Sequence, residues 1–313
     1  MTTLLPGLSL SSTSPSFEPL PAAQPAITRT QDLPAGSEYR FEVSFKGSLR
    51  IKLLSGTAEL FGTELAPNSK DPYVFSDGIK AAIYTWHGCR LELDGQVESE
   101  YVAEETQMNG YANAHFALEA AREKAKQMGE GGPRVLIVGP ENAGKTTLCK
   151  ILTSYAVKRG RQPVVLNLDP RQGMLGVPGS LTAAAFSSIM DVEEGWGSAP
   201  ISGPSATPVK MPLVYHFGLG SPEEAGGKIY RPLVTRMALA VTSRLEVDRK
   251  SREAGLIIDT PGAISHGKGG VYENIEHIVS EFSGALRLHI HASSSMLSLS
   301  IDMIEWEGLT LFF

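Results

Sequence analysis

The sequence predicts an α/β domain built on a parallel sheet and preceded by a small all-β sandwich domain, and three observations carry that reading. The first is the run Gly139-Pro140-Glu141-Asn142-Ala143-Gly144-Lys145-Thr146, which fits the phosphate-loop (P-loop) pattern G-x-x-x-x-G-K-S/T. The second is its setting. The apolar run 134–138 leads into it as a buried strand, and residues 147–157 leave it with helical spacing. The third is a series of short alternating runs upstream, separated by glycine-containing turns at the intervals of an all-β sandwich.

The elements follow in chain order. Residues 1–32 are rich in Ser, Pro, Thr and Ala, bury too little apolar surface to offset chain entropy, and are expected to be a disordered tail. Residues 33–107 carry the alternating runs 39–43, 48–53, 57–61, 73–75, 81–86 and 90–93 and make up the β-sandwich. The alanine-rich, charged stretch 112–125 predicts a helix that ends near Gly129. It belongs to a P-loop domain over 108–284, with further buried strands at 164–169, 213–217 and 256–259. Helices over 228–250 and from Tyr272 alternate with them, as in a doubly wound parallel sheet. Residues 193–208 carry Gly, Ser and Pro without periodicity and predict a mobile surface loop. Residues 285–313 read as an atypical tail. An apolar strand is expected after Glu281, yet the chain gives His289 and His291 alternating in 284–295, then the uncovered apolar ending 306–313. The two histidines lack a third ligand at metal spacing, so they read as incidental. The ending reads as a truncation or a splice-boundary read-through, with an expected C-terminal domain missing.

Composition bounds the function. The 313 residues are 42% hydrophobic and 20% charged, ordinary values for a globular protein. A net charge of −6 argues against a broad basic face for duplex nucleic acid. Cys89 and Cys149 lie in different segments and form no metal-ligand pattern. No apolar run has the length of a membrane span, and the N-terminus has no secretory pattern. An intracellular, reducing compartment and no membrane contact are therefore expected.

The chemistry centres on the phosphate loop. Its backbone N–H groups cradle phosphate oxygens at a helix N-terminus, which makes Gly139, Glu141, Asn142, Ala143, Gly144, Lys145, Thr146 and Thr147 candidate nucleotide ligands. Lys145 would reach the terminal phosphates and the Thr146 hydroxyl would sit on Mg²⁺. Two strand-end aspartates compete for the metal and for general-base chemistry. They are Asp169, in Leu168-Asp169-Pro170-Arg171-Gln172, and Asp259, in Ile258-Asp259-Thr260-Pro261-Gly262. Either carboxylate also serves as a simple cap of the turn that follows it.

The phosphate loop, the stretches Leu168 to Gly173, Val177-Pro178-Gly179 and Pro212 to Gly218, and the upstream Tyr84-Thr85-Trp86-His87-Gly88-Cys89 together resemble the polynucleotide 5′-hydroxyl kinase-like P-loop family. Within it, the chain is similar to the fungal Clp subunits of the pre-mRNA cleavage and polyadenylation machinery, from about Glu38 to Glu281. The resemblance implies ATP and Mg²⁺ as ligands, a nuclear role in 3′-end cleavage and a C-terminal domain. It implies as partners the scaffold subunit of cleavage factor IA that binds the RNA polymerase II tail, other 3′-end processing subunits, and RNA as a further candidate. It also implies that the sandwich helps to hold the adenine, which carries Glu38 and Lys80 over as ATP ligands, although both residue types usually face water at strand starts. Trp86 reads as core rather than as a base platform. Active kinases of the family use the aspartate matching Asp169 and the glutamine matching Gln172, with glycine where this chain has Arg171. Their arginine-rich lid has no counterpart here. The implied function is an ATP-binding subunit in which ATP is mainly a structural ligand. The alternatives are an active RNA 5′-hydroxyl kinase and, less favoured because the N/T-K-x-D guanine signature is absent, a GTPase.

Overall fold

The structure, a computed structural model, describes residues 28–76, 78–197, 199, 208, 210–262, 271–282, 286–292 and 297–302. Its N-terminal part is a sandwich of two antiparallel sheets. Strands β1 (Arg29–Leu33), β3 (Ser48–Gly56), β6 (Tyr73–Ser76) and β8 (Cys89–Gly95) form one sheet in the order β1-β8-β3-β6. Strands β2 (Ser37–Glu42), β4 (Glu59–Leu60), β5 (Thr63–Glu64), β7 (Lys80–Thr85) and β9 (Ser99–Ala103) form the other in the order β5-β4-β7-β2-β9. The period-two pattern explains the packing: Leu49, Ile51 and Leu53 of β3 are fully buried while Ser48 and Arg50 face water. β1 falls inside the stretch expected to be disordered. Residues 29–32 are instead paired along β8, and Arg90 of β8 bonds Asp32 at 2.6 Å. Residues 1–27 of that expected tail lie outside the described residues.

Helix α1 (Met108–Met128), closed by the left-handed Gly129, leads into a seven-stranded sheet. Its elements are β10 (Arg134–Val138), α2 (Lys145–Lys158), β11 (Val164–Asn167), β12 (Ser180–Ala185), β13 (Leu213–His216), α3 (Tyr230–Val247), α4 (Arg249–Ala254), β14 (Leu256–Asp259), α5 (Val271–Glu281), β15 (Leu286–Ala292) and β16 (Leu297–Asp302). The strand order is β13-β12-β11-β14-β10-β15-β16. The four central strands are parallel, whereas β12, β13 and β16 run antiparallel.

Three details depart from the sequence reading. β12 was not anticipated, because its alanine-rich run has low strand propensity and is held by the ladder to β11. β13, expected to be buried, is a half-exposed edge strand. The run 286–292, read as part of an atypical tail in place of the expected strand, forms β15, parallel to β10 with Val135 opposite Leu286, so the sheet runs past the boundary drawn at residue 284. Residues 303–313 lie outside the described residues. The loop expected at 193–208 is anchored at its start: Glu193 accepts from the Val74 N–H at 2.5 Å, and Trp196 is buried against Phe186.

Two apolar cores flank the sheet. One lies under α1 and α2, the other under α3 and α5. The sandwich joins the first of these, through Tyr84, Phe61 and Trp86. Around that seam the Tyr155 hydroxyl of α2 donates to the buried Glu59 carboxylate of β4, and Lys158 bonds Glu64 at 2.8 Å. Removing a donor from a buried carboxylate leaves its charge under-solvated. Tyr155→Phe is therefore expected to lower unfolding free energy by about 1–3 kcal/mol. Urea unfolding checks this, and a loss below about 0.5 kcal/mol would show that the bond is not used.

Candidate nucleotide site

The loop after β10 turns sharply, with Asn142 at φ 59° and Gly144 at φ 82°, so that its N–H groups line a concave nest at the start of α2. The loop is seated by Gly262, where an added methyl group would lie 2.6 Å from Glu141 Cγ and 2.7 Å from its Cα. Beside it, the buried Thr260 hydroxyl donates to the Ile137 carbonyl at 2.7 Å. The Lys145 ammonium is buried within the nest and donates to the Pro140 carbonyl at 2.9 Å. Burial lowers its pKa, and Asp259, Asp169 and Glu141 act against that.

The two competing aspartates have different surroundings. Asp259 reaches the loop: the Thr146 hydroxyl, with one proton to give, lies 2.5 Å from Asp259 Oδ2 and 2.7 Å from Gln172 Oε1. Asp259 Oδ1 is buried without a hydrogen-bond partner. Asp169 is also buried, but its Oδ1 accepts the Arg171 N–H at 3.0 Å, the turn-capping arrangement. Burial raises its pKa above the ordinary carboxylate value. The Arg171 guanidinium pairs with Glu141 of the phosphate loop and donates to the Gly220 carbonyl at 3.2 Å, so it spans three segments over the mouth of the site.

The donor set tests the fit of Mg²⁺. A hydroxyl, an orphaned carboxylate oxygen and a second carboxylate are hard oxygen donors, which suit this ion. No cluster of three or more His, Cys, Asp or Glu able to hold a metal occurs among the described residues. Mg²⁺ commonly takes one or two protein ligands and completes its shell with phosphate and water.

From Asn142, Gly144 and Thr147 a cleft of about 340 Å³ runs under the sandwich, in the size range of small-ligand pockets. Glu38 and Lys80 both line it, but differently. Glu38 is buried and held by Arg40 at 2.7 Å and by the Thr106 hydroxyl. Lys80 is exposed at the rim and paired with Glu42 at 2.5 Å. Walls that the sequence reading missed are Phe61, Tyr84, Tyr101, Met108 and Tyr111, which come from segments far apart in the chain. Trp86 is half-buried, edge-on to Tyr84 with centroids 4.8 Å apart, and packs on the core.

Burial raises the Asp259 carboxyl from 3.8 to about 6, against the opposing pull of the Thr146 hydroxyl and Lys145. A raised acid favours the folded state while protonated. That contribution is complete below the unfolded value near pH 4 and is lost as pH rises through about 6. In the absence of metal and nucleotide, Asp259→Asn is therefore expected to melt above the wild type at about pH 7.5 and level with it near pH 4. Thermal melts at the two pH values check this, and a constant gap would refute it.

Two family models match the chain: the N-terminal beta-sandwich domain of polyadenylation factor, over residues 32–125, and the mRNA cleavage and polyadenylation factor CLP1 P-loop, over residues 139–296. Among curated relatives, the mRNA cleavage and polyadenylation factor CLP1 of Phaeosphaeria nodorum is 66% identical over 281 residues, covering 89% of this chain and 58% of the relative. The protein of the same name from Aspergillus fumigatus is 56% identical over 311 residues, covering 91% and 55%. The chain thus spans a little over half the length of these relatives. Two solved structures share the fold with a TM-score of 0.75 and cover 84% of this chain. One, 33% identical and covered over 60% of its length, is a wild-type Clp1p–Pcf11p complex. The other, 32% identical and covered over 61%, describes an extended interface between Pcf11p and Clp1p and the structural basis for ATP loss in a glycine-to-arginine point mutant.

Proposed function

This chain belongs to the Clp1 family of mRNA cleavage and polyadenylation factors, and we propose that it is an ATP-binding subunit of the pre-mRNA cleavage and polyadenylation complex, serving 3′-end endonucleolytic cleavage in the nucleus, with ATP mainly a structural and assembly ligand. The observation that carries this reading is the continuity of the phosphate loop with the cleft under the sandwich. A triphosphate on Lys145 and the loop N–H groups leaves a nucleoside in the cleft, between Glu38 of one domain and Asn142 of the other. One ligand then touches both domains, and its binding energy adds to their docking. Mg²⁺ held by Thr146 and Asp259, with Asp169 near, would neutralise phosphate charge there. The Clp1p–Pcf11p complexes support a scaffold partner of the Pcf11 type, the subunit read as binding the polymerase II tail, together with other 3′-end processing subunits.

The mouth of the site favours binding over transfer. A phosphoryl acceptor needs an open path to a base, whereas Arg171 and Glu141 pair across it and the Arg171 N–H occupies Asp169 Oδ1. The second reading, an RNA 5′-hydroxyl kinase, draws on the buried Asp169 with its raised pKa, a feature suited to a general base.

Two outcomes test the pair. Lys145→Ala combined with Thr146→Ala removes a phosphate cation and a metal ligand, and is expected to abolish ATP binding in calorimetry. Wild-type affinity in that double variant would remove the phosphate-loop assignment. With γ-labelled ATP and a 5′-hydroxyl oligoribonucleotide, no label transfer is expected, because holding a ground-state triphosphate and stabilising its transfer are separate tasks. Transfer that disappears in Asp169→Ala would put the kinase reading in its place.

A further inference from the structure

Lys150 lies on α2, five residues beyond Lys145, where a helix-face lysine ordinarily extends into water. Here its ammonium lies 4.7 Å from the centroid of the Phe61 ring and 5.6 Å from that of Trp196. Burial lowers its pKa. Asp259 favours its charged form from a distance, and the close contacts its ammonium makes are the two aromatic faces. The three side chains come from three separate segments: the β4–β5 hairpin of the sandwich, the phosphate-loop helix, and the stretch after β12.

Phe61 is itself unusual. With Gly62 it forms the two-residue turn between β4 and β5, at φ 49° and 79°. Such turns favour Asn-Gly, and a bulky aromatic residue with positive φ is strained. The turn is pressed onto α2, since a methyl group on Gly62 would lie 3.0 Å from Ser154 Cβ and 3.2 Å from the Ile151 carbonyl. Phe61 also forms part of the cleft wall, beside Tyr84 and Ile151. Strained backbone persists where its surroundings over-determine it, and here those surroundings are a cation and a helix.

We propose that Lys150 is a positioning residue of the nucleotide cleft: its ammonium, clamped between Phe61 and Trp196, fixes the strained Phe61–Gly62 turn as the wall against which the nucleoside half of a nucleotide packs. The proposal rests on the reading of the cleft as the nucleoside end of an ATP site. Lys150 touches neither phosphate nor base; it acts through Phe61. The effect it exerts through Phe61 falls on ligands that carry a nucleoside.

The test compares ATP with inorganic tripolyphosphate by calorimetry on the full chain, wild type against Lys150→Met and Lys150→Arg. Methionine keeps the length and apolar stem but removes the charge. Arginine restores a cation able to lie over the same rings. The expected result for Lys150→Met is ATP binding weakened about tenfold, the order of a desolvated cation–π contact, with tripolyphosphate binding within about twofold of wild type. Lys150→Arg is expected to recover most of the ATP affinity. Equal ATP affinity in Lys150→Met and wild type overturns the proposal. So does a parallel loss of both ligands that arginine fails to rescue, which would make Lys150 a folding residue. A wild-type chain that binds tripolyphosphate but gains nothing from the nucleoside removes the reading of the cleft itself, a distinct result.

Discussion

One row across the sheet, Ile137 of β10 beside Asp259 of β14 beside Asn167 of β11, constrains where every group at the site can stand. Parallel pairing in register brings three strands to their carboxyl ends at one level, and each then delivers a different group. β10 runs into the phosphate loop, β14 presents the carboxylate that meets Thr146, and Asn167 holds the turn that carries Asp169 by accepting from its N–H at 3.0 Å. A one-residue slip of β14 would turn Asp259 to the opposite face and withdraw the Thr260 bond to the Ile137 carbonyl. The register of buried apolar strands thus determines the distance between a hydroxyl and a carboxylate.

The same helix that the loop opens explains the docking of the sandwich. A helix covering one face of a sheet should keep a polar outer face, yet α2 buries Leu148, Cys149, Ile151, Leu152, Ser154, Tyr155, Ala156 and Val157, residues all round its circumference. Its second side is covered by the β4–β5 hairpin, and there the buried polar groups find each other: Tyr155 with Glu59, and the Thr63 hydroxyl with the Met190 carbonyl at 3.5 Å. The cleft is the part of this seam left open, next to the loop.

Legibility in the sequence tracked the range of the interactions involved. The phosphate loop, its strand and its helix were readable because their signals are local: turn glycines, an apolar run, a period of 3.6. Thr146 and both aspartates were nameable for the same reason, but which aspartate reaches the hydroxyl depends on strand register. β1 was missed because Arg29–Leu33 is mostly polar and gains its order from β8, and β12 because alanines say little about pairing. The cleft was legible only through family resemblance at Glu38 and Lys80, and only partly, since Tyr84, Tyr101 and Tyr111 converge from separate segments. Lys150 gave no signal at all: a lysine among helical residues reads as a solvated face until Phe61 and Trp196 are placed beside it.

On the proposed reading of ATP as an assembly ligand, the electrostatics of the site bear on how a complete phosphate loop would serve that role. Asp259 is buried with one oxygen unpartnered, and above about pH 6 its ionised form weighs against folding. Lys145 is likewise held below its ordinary pKa by burial. Each group is arranged at some cost to the isolated chain. On the proposed reading, a metal-bound triphosphate offsets both costs at once, supplying a cation to the carboxylate and an anion to the ammonium. Ligand binding then stabilises the folded state by more than its contacts alone suggest, because it also removes a penalty already present. No bond needs to break for that gain to be realised. On the same proposed reading, Arg171 and Glu141 paired across the mouth favour keeping the ligand whole, and the free energy of holding it would be distributed over both domains that the cleft joins.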